Sequence, residues 1–454
     1  MARRRLNNMA TPSFEFEWID PGEAHGAELR ATWAQLRLLI DQNQLTRLID
    51  GTSRSVRSHV FLPLYPLAEW ITTNRWSLLY EVESPRRSEL NDYSRRHSLR
   101  HAGEGFALPA LSIIPGGELV ALKWSSTLLP MQQLEFTEDG IAFVSVEDFR
   151  GAMTLFIDAV IRRLEEAGIS GTLLQEEWAA ISAAGKDEIE FCASAAALGL
   201  EPYAVKEEQQ RCILDAAQRV DPGLRREFFA IADVAKLPEQ TRYLAQVLGR
   251  AKANTSDLHS LQALQSLHLG QGIGPSQPWD EGYEFARLLR SHLNLDGREL
   301  PDFAALAKAL GTRDEDLRRA ISEIDGRMLF DAAVDVNPNR SPGFAVAGKR
   351  ESSTRFALCR ALYEYLSHRV LGPSLITGAH SDRQKRNRAF AAEFLAPASG
   401  LAKAIGSNLV GAEEIDELAE RFGVSPLVIE HQVSNHHLAR IYRDWPETRG
   451  AGPS

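Results

Sequence analysis

The chain has few cysteines and no long hydrophobic segment, and both shortages exclude classes of protein. Its three cysteines, Cys192, Cys212 and Cys359, lie far apart without a CxxC pair, so the sequence predicts neither a disulfide framework nor a cysteine zinc site. No run of about 18 apolar residues occurs, which argues against a membrane span. The basic opening MARRRLNNM is not followed by an apolar run, so we expect no secretory signal and a cytoplasmic protein.

Basic residues are fewer than acidic ones. The 51 Lys and Arg residues are outnumbered by 61 Asp and Glu residues, which gives a net charge of −10. Because nucleic acid binding needs a basic surface, this balance disfavours a protein that coats nucleic acid with its whole surface and leaves room only for a local basic face. The 454-residue length, with 44% hydrophobic and 25% charged residues, indicates a globular chain of two or three domains.

The first part of the chain mixes helix and strand patterns. After a disordered arm over residues 1–12, we predict a mixed α/β domain over residues 13–148. The segment PALSIIPGGELVALKWS predicts two strands joined by a turn at Gly116 and Gly117. The segment LEFTEDGIAFVSV predicts two more strands, joined at Asp139 and Gly140. A small antiparallel sheet is therefore expected here.

The hydrophobic period becomes helical at Phe149. Apolar residues recur at helical spacing as far as Leu164 and stop before Gly168, which is a typical helix C-cap. Helical patterns continue beyond it, so we predict a helical module over residues 149–252 and then a linker over residues 253–277.

The last region, residues 278–442, contains two helix pairs, and a tail of residues 443–454 follows it. In LPDFAALAKALGTRDEDLRRAISEI the turn glycine is Gly311, and in IDELAERFGVSPLVIEHQVSNHHL it is Gly423. This spacing is typical of a helix-turn-helix. Such a pair either reads DNA or joins two packed helices.

After a strand pair around GFAVAGK, this region contains the segments RFALCRALYE, RNRAFAAEFLAP and LAERFGVSPLVIEHQV, in that order. This order of motifs resembles the ImmA/IrrE family of metallopeptidases, which has RFxLAHELGH, ANxFAAELLMP and LAxxFGVSxxxVxxRL at the corresponding places. The resemblance covers about a third of the chain and implies a C-terminal zincin-like domain in an α+β, mostly helical protein.

The resemblance also implies where a metal site would lie. In the family, two histidines one turn apart hold zinc, and the glutamate after the first histidine is the general base. These positions fall on Arg360, Glu364 and Ala361, and the third, acidic ligand falls near Gln384 or Arg386. Arginine stays protonated and offers no lone pair, and alanine cannot accept a proton. We therefore expect no metal, no other cofactor and no catalytic residue, and an Arg360–Glu364 ion pair in place of the metal.

The expected function is that of an inactive ImmA/IrrE-like protein that binds a repressor-like or effector protein. The resemblance implies a setting in stress response, mobile-element control or phage defence. One alternative is an active metal-dependent peptidase, with Glu364 joined by the substitute ligands His368, His380 or Asp382.

The other alternative is a DNA-binding transcriptional regulator that uses the C-terminal helix-turn-helix and the basic run RQKRNR. Its phosphate-facing residues would be Arg383, Lys385, Arg386 and Arg388.

Overall fold

The described part of the chain is an α+β structure in which helices predominate over several small sheets. A computed structural model describes residues 10–21, 26–85, 90–103, 105–256, 258–267, 277–325, 329–348, 350–367 and 372–442. Two compact units are present. Unit 1 comprises residues 1–242 and 378–383, and unit 2 comprises residues 243–377 and 384–454. None of the helices in the described ranges combines the length and apolar character needed to cross a bilayer.

Within its described residues, unit 1 contains three small sheets in which the strands pair antiparallel. The first is formed by β1 (Pro12–Trp18), β2 (Trp33–Ile40), β3 (Asn43–Gln44) and β6 (Val60–Pro63). The second has the order β5 (Ser55–Arg57), β4 (Leu48–Asp50), β10 (Leu134–Phe136) and β9 (Thr127–Leu129). The third has the order β11 (Gly140–Ser145), β8 (Leu119–Ser125) and β7 (Ala110–Pro115).

The predicted β-hairpin at Gly116 and Gly117 is confirmed, because β7 and β8 pair across it. The strands on either side of Asp139 and Gly140 are also present, but the prediction that they pair with each other is wrong. β10 pairs with β4 and β9, whereas β11 pairs with β8. Of the predicted arm, residues 1–9 lie outside the described residues, and Pro12 is already in β1.

Unit 1 also contains helices. They are α1 (Ala27–Ala31), α2 (Tyr65–Thr73), α3 (Arg75–Tyr80), α4 (Leu90–His97), α5 (Val146–Glu166), α6 (Leu173–Ala183), α7 (Lys186–Ala197), α8 (Glu207–Arg219), α9 (Pro222–Phe229) and α10 (Leu237–Ala253), the last of which runs on into unit 2. The Ser145 side chain caps α5 by accepting from the Asp148 amide, and Gly168 follows its end with φ 74°. The helix predicted from Phe149 to Leu164 is confirmed, with its apolar stripe in the core.

Unit 2 is built around one buried helix and a four-stranded sheet. Its helices are α11 (His259–Ser266), α12 (Pro278–His292), α13 (Phe303–Ala309), α14 (Asp314–Arg319), α15 (Glu351–Leu366), α16 (Asp382–Leu395), α17 (Ala398–Ala404), α18 (Ala412–Phe422) and α19 (Pro426–Asn435). Its strands are β12 (Ile321–Ile324), β13 (Phe330–Val336), β14 (Pro342–Ala347), β15 (Ser374–Thr377), β16 (Leu409–Val410) and β17 (Arg440–Ile441). The first two residues of α16 are counted with unit 1.

The main sheet of unit 2 has the order β12, β14, β13, β15, with β12 parallel to β14 and the other pairs antiparallel. Helix α15 packs on this sheet, and every side chain from Ala357 to Leu366 is buried. Both predicted helix pairs form, with Gly311 and Gly423 at positive φ in their turns. The predicted linker over residues 253–277 contains the helix α11.

Candidate functional site around Arg360

The central helix α15 carries Arg360, Ala361 and Glu364 in the interior of unit 2. Their exposed fractions are 4%, 0% and 2%. Residues 360 and 364 lie one turn apart on the same side of a helix. An arginine and a glutamate in such a position need polar partners, because burying a charge without them is strongly unfavourable.

The Arg360 guanidinium is surrounded by hydrogen-bond acceptors from three other elements. Its Nε donates to Asn387 Oδ1 at 2.8 Å, and its Nη1 donates to Asp331 Oδ2 at 2.6 Å. Its Nη2 donates to the Thr377 carbonyl at 2.7 Å and to Gln384 Oε1 at 2.8 Å. The planar fork of arginine suits this arrangement, since it directs several N–H groups to fixed positions at once.

Two amide side chains of α16 tie the guanidinium to the rest of the site. Asn387 Nδ2 donates to Glu364 Oε1 at 3.1 Å and to Gln384 Oε1 at 3.2 Å. Gln384 Nε2 donates to the Leu375 carbonyl at 2.9 Å. Asn387 therefore links Arg360 to Glu364, and the direct ion pair between the two charged residues remains a prediction.

The charge of Arg360 is balanced at one edge of the site. The Asp331 side chain is 44% exposed, whereas that of Arg360 is 5% exposed. This ion pair therefore extends from the buried helix to solvent. Asp331 is the polar residue of the otherwise apolar start of β13, where the side chain of Phe330 is fully buried.

The residues at the expected metal positions do not offer a ligand set. Arginine has donors only, and the alanine at position 361 has no polar side-chain atom. Within the described ranges, no group of three His, Cys, Asp or Glu residues is placed so that it could hold a metal ion. Among the three expected ligand positions, only Glu364 carries a side chain of the kinds that ordinarily bind zinc.

The candidate substitute ligands have other contacts. His368 lies outside the described residues. Within unit 1, His380 Nδ1 is 3.2 Å from Glu83 Oε2. Also in unit 1, Asp382 Oδ2 accepts hydrogen bonds from the backbone amides of Glu118 and Leu119 at 3.2 and 2.8 Å.

The predicted basic run does not form a fully exposed face. Arg386 is 4% exposed, and its Nε donates to Glu281 Oε2 at 2.9 Å. Arg388 is half-buried and donates to the Thr377 carbonyl at 3.2 Å. Arg383 and Lys385 are half-buried as well.

Cys359, next to Arg360, is not arranged as a nucleophile. Its thiol is fully buried, and burial raises its pKa to about 12. Because the thiolate is the reactive form, this thiol is inert at neutral pH.

The C-terminal helix pair presents little positive charge. The exposed residues of α18 include Glu413, Asp416, Glu417 and Glu420. The second helix, α19, contains no Lys or Arg, and its Leu427 is 58% exposed. This surface would repel phosphate groups.

Asn387, Asp331 and Thr377 belong to the site although sequence reasoning did not select them. Asn387 stands inside the motif RNRAFAAEFLAP, so the resemblance offered a signal for it. Asp331 was marked only by its polarity in an apolar strand. Thr377 contributes a backbone carbonyl, which side-chain chemistry cannot reveal.

The chain was also compared with known proteins. No protein-family model matches it, and a search of curated proteins finds no significant match.

Proposed function

We propose that unit 2 is an ImmA/IrrE-like domain without peptidase activity and that the protein acts by binding a protein partner. The observation that carries this proposal is the placement of Arg360. A buried guanidinium stands where the family would hold its first zinc ligand, and four acceptors around it are already engaged. A divalent cation would have to displace a positive charge that has no deprotonated form at ordinary pH.

The element order supports the same domain type. A helix pair, three strands, a long buried helix, a fourth strand and a further long helix precede the C-terminal helix pair. The long helix carries RFALCRALYE and the next one carries RNRAFAAEFL, so the two motifs of the resemblance supply both sides of the Arg360 network. In this proposal the fold is retained for binding, and the catalytic groups are absent.

A peptidase with substituted ligands has less support. It would need a third ligand beside Glu364, and Gln384 and Arg386 at the expected position already have partners. Its general base would also have to come from elsewhere, since position 361 is a buried alanine.

A DNA-binding regulator has less support than a protein-binding one. The acidic exposed side of α18 and the absence of Lys and Arg from α19 oppose contact with a phosphate backbone. We therefore place the partner among proteins, in the setting of stress response, mobile-element control or phage defence that the resemblance implies.

The test is a graded restoration of the metal site. The triple variant Arg360→His, Ala361→Glu, Glu364→His restores the two histidines and the base but no third ligand from Gln384. We expect no peptidase activity on unfolded or repressor-type substrates from this variant or from the wild type. The matched quadruple variant adds Gln384→Glu. Zinc binding by the quadruple variant but not by the triple variant would support the proposal that these positions correspond to a zinc site. Zinc-dependent cleavage by the wild-type protein would refute the proposal.

A further inference from the structure

Arg75, the first residue of α3 in unit 1, is a buried arginine without a hydrogen-bond acceptor in the part of the chain that is described. It is 9% exposed, and its Nη1 is fully buried and unpartnered. Its guanidinium lies over the ring of Trp178, with Cζ 4.8 Å from the ring centroid. Other buried arginines have acceptors: Arg355 donates to the Pro301 and Gly423 carbonyls, although its Nε is unpartnered, and Arg360 has the four acceptors described above.

The surroundings of Arg75 make its unpaired state more unfavourable. Burial lowers the pKa of Arg75, and the positive charge of Arg150 lowers it further. The nearby carboxylate of Asp158 raises that pKa, but its Oδ1 accepts from Trp178 Nε1 at 2.8 Å instead of from the guanidinium. Stacking on an indole ring orients a guanidinium but does not satisfy its N–H groups.

We propose that Arg75 anchors a binding site for an oxyanion, either a phosphate or a carboxylate group. The guanidinium fork binds such groups through two parallel hydrogen bonds, and Trp178 fixes the plane of the fork. Arg150 is exposed, and its positive charge acts on Arg75, so it supplies a second positive charge near the site. A bound oxyanion would accept from the unpartnered Nη1 and relieve the repulsion between the two arginines. This site lies in unit 1 and is independent of the proposed role of Arg360.

The test is thermal unfolding of the full chain in sodium phosphate, in sodium acetate, and in sodium chloride at matched ionic strength. We expect at least one of the two oxyanions to raise the melting temperature of the wild type along a saturable curve, by about 2 °C or more above chloride. A response to phosphate alone assigns a phosphorylated ligand, and a response to acetate alone assigns a carboxylate.

The variant Arg75→Met should lose the saturable response. In chloride it should melt no lower than the wild type, because an unpaired buried charge has been removed. The matched control is Arg163→Met in the same unit, since Arg163 also lies over a tryptophan, Trp18, but donates to the Ala31 carbonyl at 2.9 Å. This control should melt lower in chloride and keep the anion response.

A second variant keeps the proposal testable if Arg75→Met does not fold. Arg150→Met changes an exposed residue. In calorimetric titration it should lower the affinity for the oxyanion that stabilises the wild type by about fivefold. The absence of a saturable response to both oxyanions in the wild type would overturn the proposal. An equal response in wild type and Arg75→Met, or unchanged affinity in Arg150→Met, would also overturn it.

Discussion

Replacing Arg360 by methionine tests whether its guanidinium stabilises the folded state of unit 2. The change keeps much of the aliphatic length and removes four hydrogen bonds. After it, Gln384 Oε1 still accepts from the Thr377 amide at 3.0 Å, and the Thr377 carbonyl still accepts from Arg388. The strongest losses are therefore the bond to Asn387 Oδ1 and the charged bond to Asp331.

The magnitude follows from these losses. A hydrogen bond to a charged group contributes about 1.5–3 kcal/mol, and an orphaned buried acceptor costs about 1–3 kcal/mol. The Asp331 side chain is 44% exposed, so solvent compensates part of its loss. We expect Arg360→Met to lower the free energy of unfolding by about 2–4 kcal/mol. The matched control Arg421→Met breaks an exposed ion pair with Glu299 and should cost less than about 1 kcal/mol.

A double substitution distinguishes destabilisation by an unpaired buried charge from destabilisation by lost packing. The single change Glu364→Leu should destabilise unit 2 because it leaves Arg360 with less negative charge nearby. The double variant Arg360→Met, Glu364→Leu should be milder than either single change, because no buried charge is left without its counterpart and the remaining Asp331 carboxylate is 44% exposed to solvent. Urea and thermal unfolding of the four proteins, including wild type, measure this. If both singles and the double unfold like the wild type, the site is an open cleft and the reasoning is refuted.

The remaining predictions concern unit 1. Glu81 accepts from Arg96 and His97 while fully buried, and these partners lower its pKa from 4.5 to about 2 against the opposing effect of burial. The contribution of Glu81 to stability is therefore present above about pH 4.5 and is lost as the pH falls towards 2. When both proteins are acidified over this pH range, Glu81→Gln should lose less stability than the wild type. Gly116→Ala should destabilise unit 1, because an added Cβ would overlap the Asp382 carboxylate that accepts from two amides. Gly151→Ala, inside α5 with nothing within 4 Å of the added Cβ, should instead stabilise it by about 0.5–1 kcal/mol, and thermal melts compare the two.

Local patterns predicted the elements whose shape depends on nearby residues. The helix from Phe149 to Leu164, the hairpin at Gly116 and both glycine-turn helix pairs were visible in the sequence. The strand β2 was missed, although its alternation of buried Ala34, Leu36, Leu38 and Ile40 was a readable signal. Strand pairing failed at Asp139 and Gly140 because a short turn sequence does not specify which strands pair.

The chemistry at positions 360, 361 and 364 followed from residue identity, but the acceptors around Arg360 did not. Asp331 and Asn387 reach it from elements 29 and 27 residues away in the sequence, and no periodicity links them. Likewise, residues 378–383 belong to unit 1, where Asp382 contacts an amide 264 residues earlier. Such long-range placements depend on the whole fold.

The zinc content of the purified protein tests most directly the proposal that the Arg360 guanidinium stands in place of a metal. Elemental analysis after mild dialysis should find no stoichiometric zinc, and a chelator should leave the melting temperature unchanged. About one zinc per chain, lost together with stability on chelation, would contradict the account.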